Sequence, residues 1–536
     1  MPESLFLRIK RRARREVDQW INAWRLARLA EQIARYCPQK ADARPVVFFK
    51  ASSGIVQMSL NNAFHSLAAL ALETRGVRTA HFVCNAGMSR CVLGTDRNDP
   101  GRLPPCVACV RHTQKMYANL EKHWFNYTEQ PDLAVKLRGL RIDELASFGF
   151  DELPLGALVL PSLRWVLRRH HLPDDEPTRL LMREYILSAY KVAKEFEAFL
   201  EQVKPQVVIV FNGMFFPEAA ARFIALRRGI RVITHEVGLM GTSAFFTDGE
   251  ATAYPIDIPP DFELNTAQNA RLDAYLENRF QGQFTMAGIR FWPEMSSLDE
   301  AFLERASEFR QVVPVFTNVV FDTSQGHANT IFPHMFAWLD LILEIIQNHP
   351  ETLFVIRAHP DETRPGKESR ETVETWVTLH GADRLPNVIF ISPTQYLSSY
   401  ELINHSKFAM VYNSSIGLEA ALMGAVVLCG GRARYTRYPT VFLPSSSEEY
   451  RQQAEAFLEA PEVKAPEAFR KNARRFLYYQ LFRTSLPFEA YLRNTSMAGF
   501  VRIKSFDWRE LSVERSPTMR AIVEGVLESK PFLLED

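Results

Sequence analysis

The sequence predicts an α/β protein with two Rossmann-like, doubly wound domains that face a cleft, and with helical N- and C-terminal extensions. Three observations support this prediction. Short apolar runs of strand length alternate with longer helical patterns in both halves of the chain. A proline-rich passage separates the two series. Polar turns follow several predicted strands, at the sheet edge where open parallel sheets bind ligands.

Length and composition set the limits of this interpretation. The 536 residues are enough for two or three domains with sizeable cores. A formal net charge of +1 gives no global field that attracts nucleic acid, so we expect no nucleic-acid partner. No apolar run approaches the roughly 18 residues that span a bilayer. Six cysteines are too few for a disulfide scaffold and no secretory signal is visible, so we expect a cytoplasmic protein.

Residues 1–40 are predicted to form a basic helical extension. Apolar side chains, among them Trp20 and Trp24, alternate with the basic ones. One interpretation is a helix on an anionic membrane surface, which implies peripheral attachment at the inner face of the plasma membrane. The other is a solvated face whose apolar stripe packs on the body. The basic cluster consists of Arg8, Lys10, Arg11, Arg12, Arg14 and Arg15.

Residues 41–256 are predicted to form the first Rossmann-like domain. Polar turns follow three of its strands, at residues 50–54, at Asn212-Gly213 and at His235-Glu236. In a parallel sheet these turns share one rim, so we expect His235 and Glu236 to face the cleft. Residues 113–202 are predicted to be mostly helical. The predicted strands are 45–49, 77–83, 207–211 and 231–234.

The second half begins after a predicted linker, residues 257–307. Residues 308–440 are predicted to form the second Rossmann-like domain, and residues 441–536 a helical tail that packs back on the body. Right-handed crossovers through the intervening helices would make the second sheet parallel. The predicted strands of this domain are 312–316, 353–356, 388–391, 408–411 and 425–428.

The stretch 408–431, FAMVYNSSIGLEAALMGAVVLCGG, predicts a strand, a capped helix and a second strand. The N-terminus of such a helix offers free N–H groups to a phosphate, and Ser414 and Ser415 add hydroxyl donors. Glu419 lies in the first turn, within reach of a ribose. The alternative interpretation is an ordinary capped helix of a Rossmann-like domain.

Two further polar groups follow strands of the second domain. Thr317-Asn318 comes first, with Asp322 beyond it, and Arg357-Ala-His359-Pro360 follows the next strand. His359 can donate to a phosphate oxygen and, if protonated, can stabilise the charge on a leaving phosphate. A histidine before proline is also common in structural turns.

The order TNVVFD, VIRAHPDE and YNSSIGLEAALMG resembles the capsule polysaccharide biosynthesis family of GT-B glycosyltransferases. Paired HP and SS motifs also recur in bacterial sialyltransferases and Kdo transferases. The resemblance covers about residues 311–431, and FNGMFFPEAA and THEVG extend it more weakly over 211–238. No acidic D/E-D/E-G motif of the sialyltransferase type is present at the expected turn, which puts sialic acid in doubt.

The resemblance implies a GT-B-like enzyme that transfers a sugar from a CMP- or NDP-sugar to a growing surface polysaccharide or a lipid-linked glycan. The first domain would bind the acceptor and the second the donor nucleotide. Glu419 would hold the ribose. The residues expected around the donor phosphate are Asn318, Arg357, His359, Ser414, Ser415 and Gly417.

An inverting transfer needs a base beside the acceptor hydroxyl. We expect Glu236 in this role with His235 next to it, and Asp322 as the alternative base. A helix-capping or inter-domain ion-pair role for Glu236 is the competing interpretation. The phosphate corner carries histidine, serines and a helix end instead of a DxD carboxylate pair, so we expect catalysis without a metal.

Four cysteines, Cys84, Cys91, Cys106 and Cys109, lie within the loop 84–109 in the pattern C-x6-C-x14-C-x2-C. Such spacing suits one structural zinc. An iron–sulfur cluster uses the same ligands. Reduced, partly buried cysteines are the alternative.

Two other functions fit the same architecture. A nucleotide-sugar epimerase shares the two-domain organisation, and a non-catalytic polysaccharide assembly or export partner would carry a degenerate site. The HP and SS motifs argue against the second of these.

Overall fold

The structure, a computed structural model, describes residues 5–39, 42–51, 55, 57–280, 285, 286, 289, 290, 295–497 and 499–536. For residues 5–11, 285, 286, 289 and 290 it describes the backbone alone. Residues 52–54 of the predicted turn 50–54 and Pro293 of the predicted linker lie outside the described residues. Within the described part of the chain, no helix is long and apolar enough to cross a membrane.

The first half folds around a mixed sheet preceded by a long helix. Helix α7 begins at Asp175, whose side chain accepts from Thr178 N, and ends at Lys204 in the left-handed conformation. The elements are α1 (Leu5–Tyr36), β1 (Val46–Lys50), α2 (Leu60–Glu73), β2 (Thr79–Asn85), α3 (Cys106–Met116), β3 (Lys122–Asn126), α4 (Pro131–Leu137), α5 (Ile142–Ala146), α6 (Leu155–Leu167), α7 (Glu176–Val203), β4 (Val207–Phe211), α8 (Glu218–Arg227), β5 (Arg231–Val237) and β6 (Ser243–Thr247).

The middle of the chain holds the second β/α series. Four short elements precede it: α9 (Thr266–Phe280), β7 (Thr285–Met286), β8 (Ile289–Arg290) and α10 (Glu300–Ser307). The series consists of β9 (Gln311–Phe316), α11 (Gln325–Ala328), α12 (Met335–Asn348), β10 (Thr352–Arg357), α13 (Val373–Leu379), β11 (Val388–Ile391), α14 (Ser399–Asn404), β12 (Ala409–Val411), α15 (Ile416–Met423) and β13 (Val427–Cys429).

The last hundred residues return from the second domain to the first. Their elements are α16 (Ser447–Glu459), α17 (Glu467–Tyr478), β14 (Leu486–Pro487), β15 (Leu492–Asn494), β16 (Val501–Ile503) and α18 (Pro517–Glu528). Helix α16 packs on α12 of the second domain, whereas α18 packs on α2 and β16 contacts α1, both in the first. The tail, predicted to be helical and to pack back on the body, is not helical throughout, because β14 pairs with β6 at the edge of the first sheet.

Both sheets have the strand order of a Rossmann fold. The first runs β14-β6-β5-β4-β1-β2-β3, and its five strands β1 to β5 are parallel. The second runs β11-β10-β9-β12-β13 and is parallel throughout. In each sheet the order reverses next to the first strand, at β1/β4 and at β9/β12. Those reversals are where ligands bind in open α/β sheets.

Each sheet is covered on both faces, as buried parallel sheets require. Alternate residues of β1 belong to different cores: Phe48 packs with α1, α2 and α18, and Phe49 with the α4–α8 side. The second sheet divides its side chains between two further cores in the same way. The predicted fold class, an α/β protein with two Rossmann-like sheets and a cleft, is confirmed.

Besides β14, two strands of the first sheet were not predicted. β3 lies inside residues 113–202, which were expected to be mostly helical, and β6 follows Glu236 and its turn. β3 (KHWFN) is a short edge strand with one buried residue, Phe125, so it carries little apolar periodicity.

Candidate functional site

A cavity of about 720 Å³ lies between the two sheets. From the first half it is lined by Leu239 and by Gly249, Glu250 and residues 252–255, which follow β6. From the second half it is lined by the loops after β9, β10, β12 and β13. The cavity therefore opens at the carboxyl ends of the second sheet's strands, where its order reverses.

At this reversal the loops after β9 and β12 meet. Asn318 Nδ2 donates to Asn413 Oδ1 at 2.7 Å, and Asn318 Oδ1 accepts from the N–H of Val319 at 2.8 Å. Thr317 Oγ1 donates to the carbonyl of Arg357 at 2.9 Å, which joins the loop after β10. Asn318 thus lies in the cavity wall with its amide already oriented by the protein.

Ser414 and Ser415 line the cavity at the N-terminus of α15. Ser415 is the N-cap residue, yet its side chain makes no capping hydrogen bond. Helix N-termini carry unpaired N–H groups and a partial positive charge. The serine hydroxyls and the helix end together form a corner whose chemistry suits an anion.

Gly417 was predicted to contact the donor, but it is not among the residues that line the cavity. A β-carbon at this position would lie 2.2 Å from the hydroxyl oxygen of Tyr435. That hydroxyl donates to the carbonyl of Ser414 at 2.8 Å. Gly417 is therefore required for the close approach of Tyr435, which holds the serine turn in place.

His359 and Arg357 provide the basic side of the cavity. His359 Nδ1 accepts from the N–H of Asp361 at 3.2 Å, so a neutral imidazole carries its proton on Nε2. Burial lowers the pKa of His359. The imidazole is consequently a neutral N–H donor, and the protonated form that the sequence allowed is disfavoured.

Arg357 is 5% exposed and faces no carboxylate partner among the described residues. Its Nη1 donates to the carbonyl of Leu397. Burial alone lowers its pKa to about 10, so it remains charged at neutral pH. A buried guanidinium without a counter-ion attracts an anionic ligand.

Glu419 also lines the cavity, and both of its oxygens have protein partners. Arg279 of α9 pairs with Oε1, and the Tyr400 hydroxyl donates to Oε2. Arg279 and Glu419 are each less than a tenth exposed. The sequence located Glu419 but missed its partners, because Arg279 lies in the predicted linker 140 residues away.

Glu236 is the penultimate residue of β5, beside the β1/β4 reversal of the first sheet. Asn61 Nδ2 donates to its Oε1 at 3.0 Å, and Asn212 Nδ2 donates to its Oε2 at 2.8 Å. Burial, and more weakly the charge of Asp322, raises the pKa of Glu236 above its usual range. Burial is the main cause that raises the pKa of Tyr254, which lines the cavity, and the charge of Glu236 raises it further. Glu236 is not itself among the residues that line the cavity, but its electrostatic effects place it near Tyr254 and Asp322, which do line it.

His235 does not face the cleft, so this expectation is wrong. Its side chain is fully buried, with Nε2 3.0 Å from Nδ1 of His65 in α2. Successive residues of a strand point to opposite faces, so His235 and Glu236 cannot share one. Burial lowers the pKa of His235 to about 3, which keeps it neutral in the core.

Asp322 is exposed and lines the cavity. Its Oδ1 accepts from the N–H of Ser324 at 3.0 Å. Its charge acts on the pKa values of both Glu236 and His359, so it lies between the two halves of the candidate site.

The sequence did not predict a second set of polar contacts between the two domains, which is centred on His327. His327, from α11, has Nε2 2.8 Å from Thr252 Oγ1 and Nδ1 3.2 Å from Glu250. Arg222 donates to Glu250 at 2.7 Å. All the predicted motifs follow strands directly, whereas this contact joins distant loops and leaves no local signal in the sequence.

The four cysteines of the loop 84–109 lie near one another. Burial is the main cause that raises the pKa of Cys84, and the charges of Cys91, Cys109 and Cys106 raise it further. Burial also raises the pKa of Cys91 to about 12. All six cysteines are in the described part of the chain and none forms a disulfide. Among the described residues, no three of these sulfurs lie within 4.8 Å of one another.

Comparison with known protein families gives a match over the second domain. Residues 296–439 match the family described as "Capsule polysaccharide biosynthesis protein". This match contains the whole of the resemblance predicted over residues 311–431, which is thereby confirmed. No curated protein matches the sequence.

Several solved structures are similar to this chain at low identity. Thermosulfurimonas dismutans KpsC, beta Kdo 2,4 transferase, is 12% identical over 52% of this chain and 80% of its own, with a TM-score of 0.35. The beta Kdo 2,7 transferase of the same KpsC is 13% identical over 63% and 90%, with a TM-score of 0.33. Methanocaldococcus jannaschii UDP-GlcNAc 2-epimerase is 15% identical over 54% and 79%, with a TM-score of 0.25.

Proposed function

Through residues 296–439 the chain belongs to the capsule polysaccharide biosynthesis family, and from this premise we propose that it is a glycosyltransferase. It transfers a sugar from a CMP- or NDP-sugar to a growing surface or capsular polysaccharide or to a lipid-linked glycan. The observation that supports this most is the corner of the cleft whose chemistry suits an anion. One cavity is lined by a buried guanidinium that has no carboxylate partner in the described part of the chain, by a neutral imidazole N–H and by two serine hydroxyls at a helix N-terminus.

The donor's phosphate lies in this corner in the proposed complex. Arg357 supplies a full positive charge, His359 an N–H donor, and Ser414 and Ser415 their hydroxyls. Asn318 completes the wall, and Glu419 accepts from a ribose hydroxyl with its orientation fixed by Arg279. When the sugar–phosphate bond breaks, negative charge grows on the leaving phosphate, and the same donors stabilise it.

Glu236 acts as the general base in the proposed reaction. The acceptor hydroxyl loses its proton to the Glu236 carboxylate while its oxygen bonds to the anomeric carbon, and the nucleotide leaves with the bonding electrons. A raised pKa makes this carboxylate a stronger base than an exposed one. Asp322 is the alternative base on the cavity side. The basic corner supplies the charge stabilisation that a metal supplies in other transferases, so we propose protein groups alone for the transfer.

Nucleotide binding to the purified protein tests the proposal. Ligands that bind the folded state raise its unfolding temperature, so CMP, CDP, UDP and GDP are compared, each alone. We expect one of them to stabilise the wild type. His359→Ala and Ser415→Ala are each expected to weaken that binding about 10- to 100-fold, since a hydrogen bond to a charged group contributes about 1.5–3 kcal/mol.

Two matched controls accompany these variants. Ser447→Ala removes an exposed serine at the start of another helix, α16, and His405→Gln removes an exposed histidine. Both should bind like the wild type. Wild-type affinity in His359→Ala and Ser415→Ala would exclude the donor site. Release of free epimerised sugar from a UDP-sugar without an acceptor would identify an epimerase instead.

We also propose that the cysteine loop 84–109 holds one structural zinc. The thiol groups are gathered at one end of the first sheet, and a metal would draw the sulfurs to about 2.3 Å from one point. Elemental analysis of protein purified without chelator tests this. An equivalent of zinc that is lost in Cys106→Ser is expected, and an equivalent of iron would indicate a cluster. Absence of both metals would favour reduced, packed cysteines.

A further inference from the structure

Three histidines meet where the two halves of the chain touch, away from the residues that line the cleft cavity. His170 and His171 follow α6 of the first domain, and His334 is the N-cap residue of α12 in the second. Their ring centroids are 4.6–4.8 Å apart. One nitrogen of each lies within 4.8 Å of the others, the sole such trio of possible metal ligands in the described part of the chain.

We propose that His170, His171 and His334 bind one divalent transition-metal ion, Zn²⁺ in the first instance, and that this ion joins the two domains. Imidazole nitrogen is a preferred ligand of Zn²⁺, and three protein ligands with one open position make a complete tetrahedral site with a water. Two of the three ligands come from adjacent residues of one domain and the third from the other domain. Binding therefore needs both domains in their present relative position.

Glu371 supplies the second observation in favour of a metal. Its Oε1 is 2.5 Å from His171 Nδ1, and its Oε2 accepts from the backbone N–H groups of His170 at 2.7 Å and His171 at 3.0 Å. The carboxylate places the imidazole proton of His171 on Nδ1 and leaves the lone pair on Nε2. Metal-binding histidines are commonly oriented by a carboxylate in this way.

In each of the other two imidazoles, one ring nitrogen contacts a protein group and the other is left for a metal. His170 Nε2 accepts from Arg164 Nη2 at 3.4 Å, which places the proton of the neutral imidazole on Nδ1. Binding a metal through His170 Nδ1 moves this proton to Nε2 and gives up the long contact with Arg164. His334 Nδ1 accepts from the N–H of Ala337 at 3.0 Å. Binding through His334 Nε2 moves the proton to Nδ1 and gives up this one capping hydrogen bond. The charge of Arg164 opposes a cation, and that of Glu371 favours it.

The ion would stabilise the interface between the two domains. Other contacts across this interface surround it: Arg370 N donates to the Arg168 carbonyl at 2.9 Å, and Arg97 Nη2 donates to the Gly366 carbonyl at 2.7 Å. These are single hydrogen bonds between exposed or loop groups. A metal bound by both domains would hold them in their present relative position more firmly than these hydrogen bonds do.

The test uses the full-length protein after dialysis against a chelator, titrated with Zn²⁺ and, separately, with Co²⁺. His334→Asn removes the imidazole but keeps an N-capping side chain, and His171→Gln keeps a donor to Glu371. We expect each to lose one equivalent of bound metal and the metal-dependent rise in unfolding temperature. Glu371→Gln should retain the site with about 10- to 100-fold weaker affinity. His405→Gln, an exposed histidine outside the trio, should behave as the wild type.

Co²⁺ separates this site from the cysteine loop, because thiolate ligands give a charge-transfer band and imidazoles do not. The expected result is a tetrahedral Co²⁺ spectrum whose imidazole part disappears in His334→Asn and His171→Gln, with any thiolate band unchanged. Circular dichroism confirms that each variant is folded. Equal stoichiometry and stabilisation in the wild type and in folded His334→Asn and His171→Gln, or no metal binding outside the cysteines, would overturn the proposal.

Discussion

Two asparagines hold the carboxylate of Glu236 at the end of β5. Glu236→Gln keeps the shape and one acceptor oxygen but cannot take up a proton. We expect kcat to fall about 100- to 10,000-fold, the usual contribution of a general base, with the KM for the donor changed little. Asn404→Asp, which adds a carboxylate at an exposed position that does not line the cavity, serves as the control. A kcat within a few fold of wild type would move the base to Asp322.

In the proposed mechanism, the raised pKa of Glu236 sets the pH dependence of the reaction. A base works only when ionised, so kcat/KM falls as the pH drops through the pKa of Glu236 in the free enzyme. Because burial raises that pKa above 4.5, the loss begins at higher pH than for an exposed glutamate. Profiles of the wild type and Asp322→Asn check this. If the fall of kcat/KM at low pH is seen in the wild type but not in Asp322→Asn, the assignment of this fall to Glu236 is contradicted.

At the residue scale, the sequence identified side chains that follow strands and could not identify their neighbours. Asn318, His359, Ser415 and Glu419 were found because polar residues after buried strands share one rim of a parallel sheet. Arg279 and the Glu250–His327 contact depend on long-range packing. His235 was misplaced because the strand β5 extends to Val237, three residues further than its apolar run.

Among the elements, α1 presents an unusual surface. Trp20 and Trp24 are 62% and 48% exposed and stack at 6.3 Å, with Arg28 over the Trp24 ring. The opposite face of the helix, with Leu26 and Ile33, is buried against the first domain. The packing interpretation therefore holds for one face of α1, and the other face exposes aromatic and basic side chains. Membrane attachment through this exposed face stays a prediction.

We predict that this exposed face binds anionic membranes. Trp20→Ala with Trp24→Ala should lower the partition coefficient onto vesicles containing anionic lipid at least about tenfold, since burying one large apolar side chain contributes roughly 1.5–3 kcal/mol. Added salt should weaken binding, because each basic residue contributes about 1 kcal/mol at the surface. Co-sedimentation measures both. Leu379→Ala, at an exposed leucine of the second domain, is the control. Equal binding to neutral and anionic vesicles would refute the idea.

For the whole molecule, the sequence predicted two sheets and their order along the chain, since each strand–helix–strand unit has a local pattern. It did not predict that the tail contributes a strand to the first sheet. β14 has two residues and pairs with β6 only because α17 and the π-helical turn Tyr479–Arg483 lead the chain back. No local sequence pattern indicates that the chain returns from the second domain to the first.

The tail should accordingly be needed for the stability of the first domain. A chain ending at residue 483 loses β14 from the sheet edge, β16 from α1 and α18 from α2. We expect it to unfold at a markedly lower temperature, with earlier proteolysis in residues 42–256 than in residues 308–440. Addition of a separate 484–536 fragment should partly restore resistance. Equal protease resistance of the first domain in both chains would contradict this.

The return of the tail also sets the order in which the protein is made and folded. Domains generally fold as units during synthesis, the N-terminal one first. Here the first core is completed by Leu486, Phe488 and the helix that begins at Pro517, all of which are synthesised after the second domain's sheet. The second domain has its whole sheet by residue 429. Although the second domain is synthesised later, it can therefore finish folding first. Until the tail is made, the first domain stays incomplete, and the face of α2 that α18 covers is exposed to solvent.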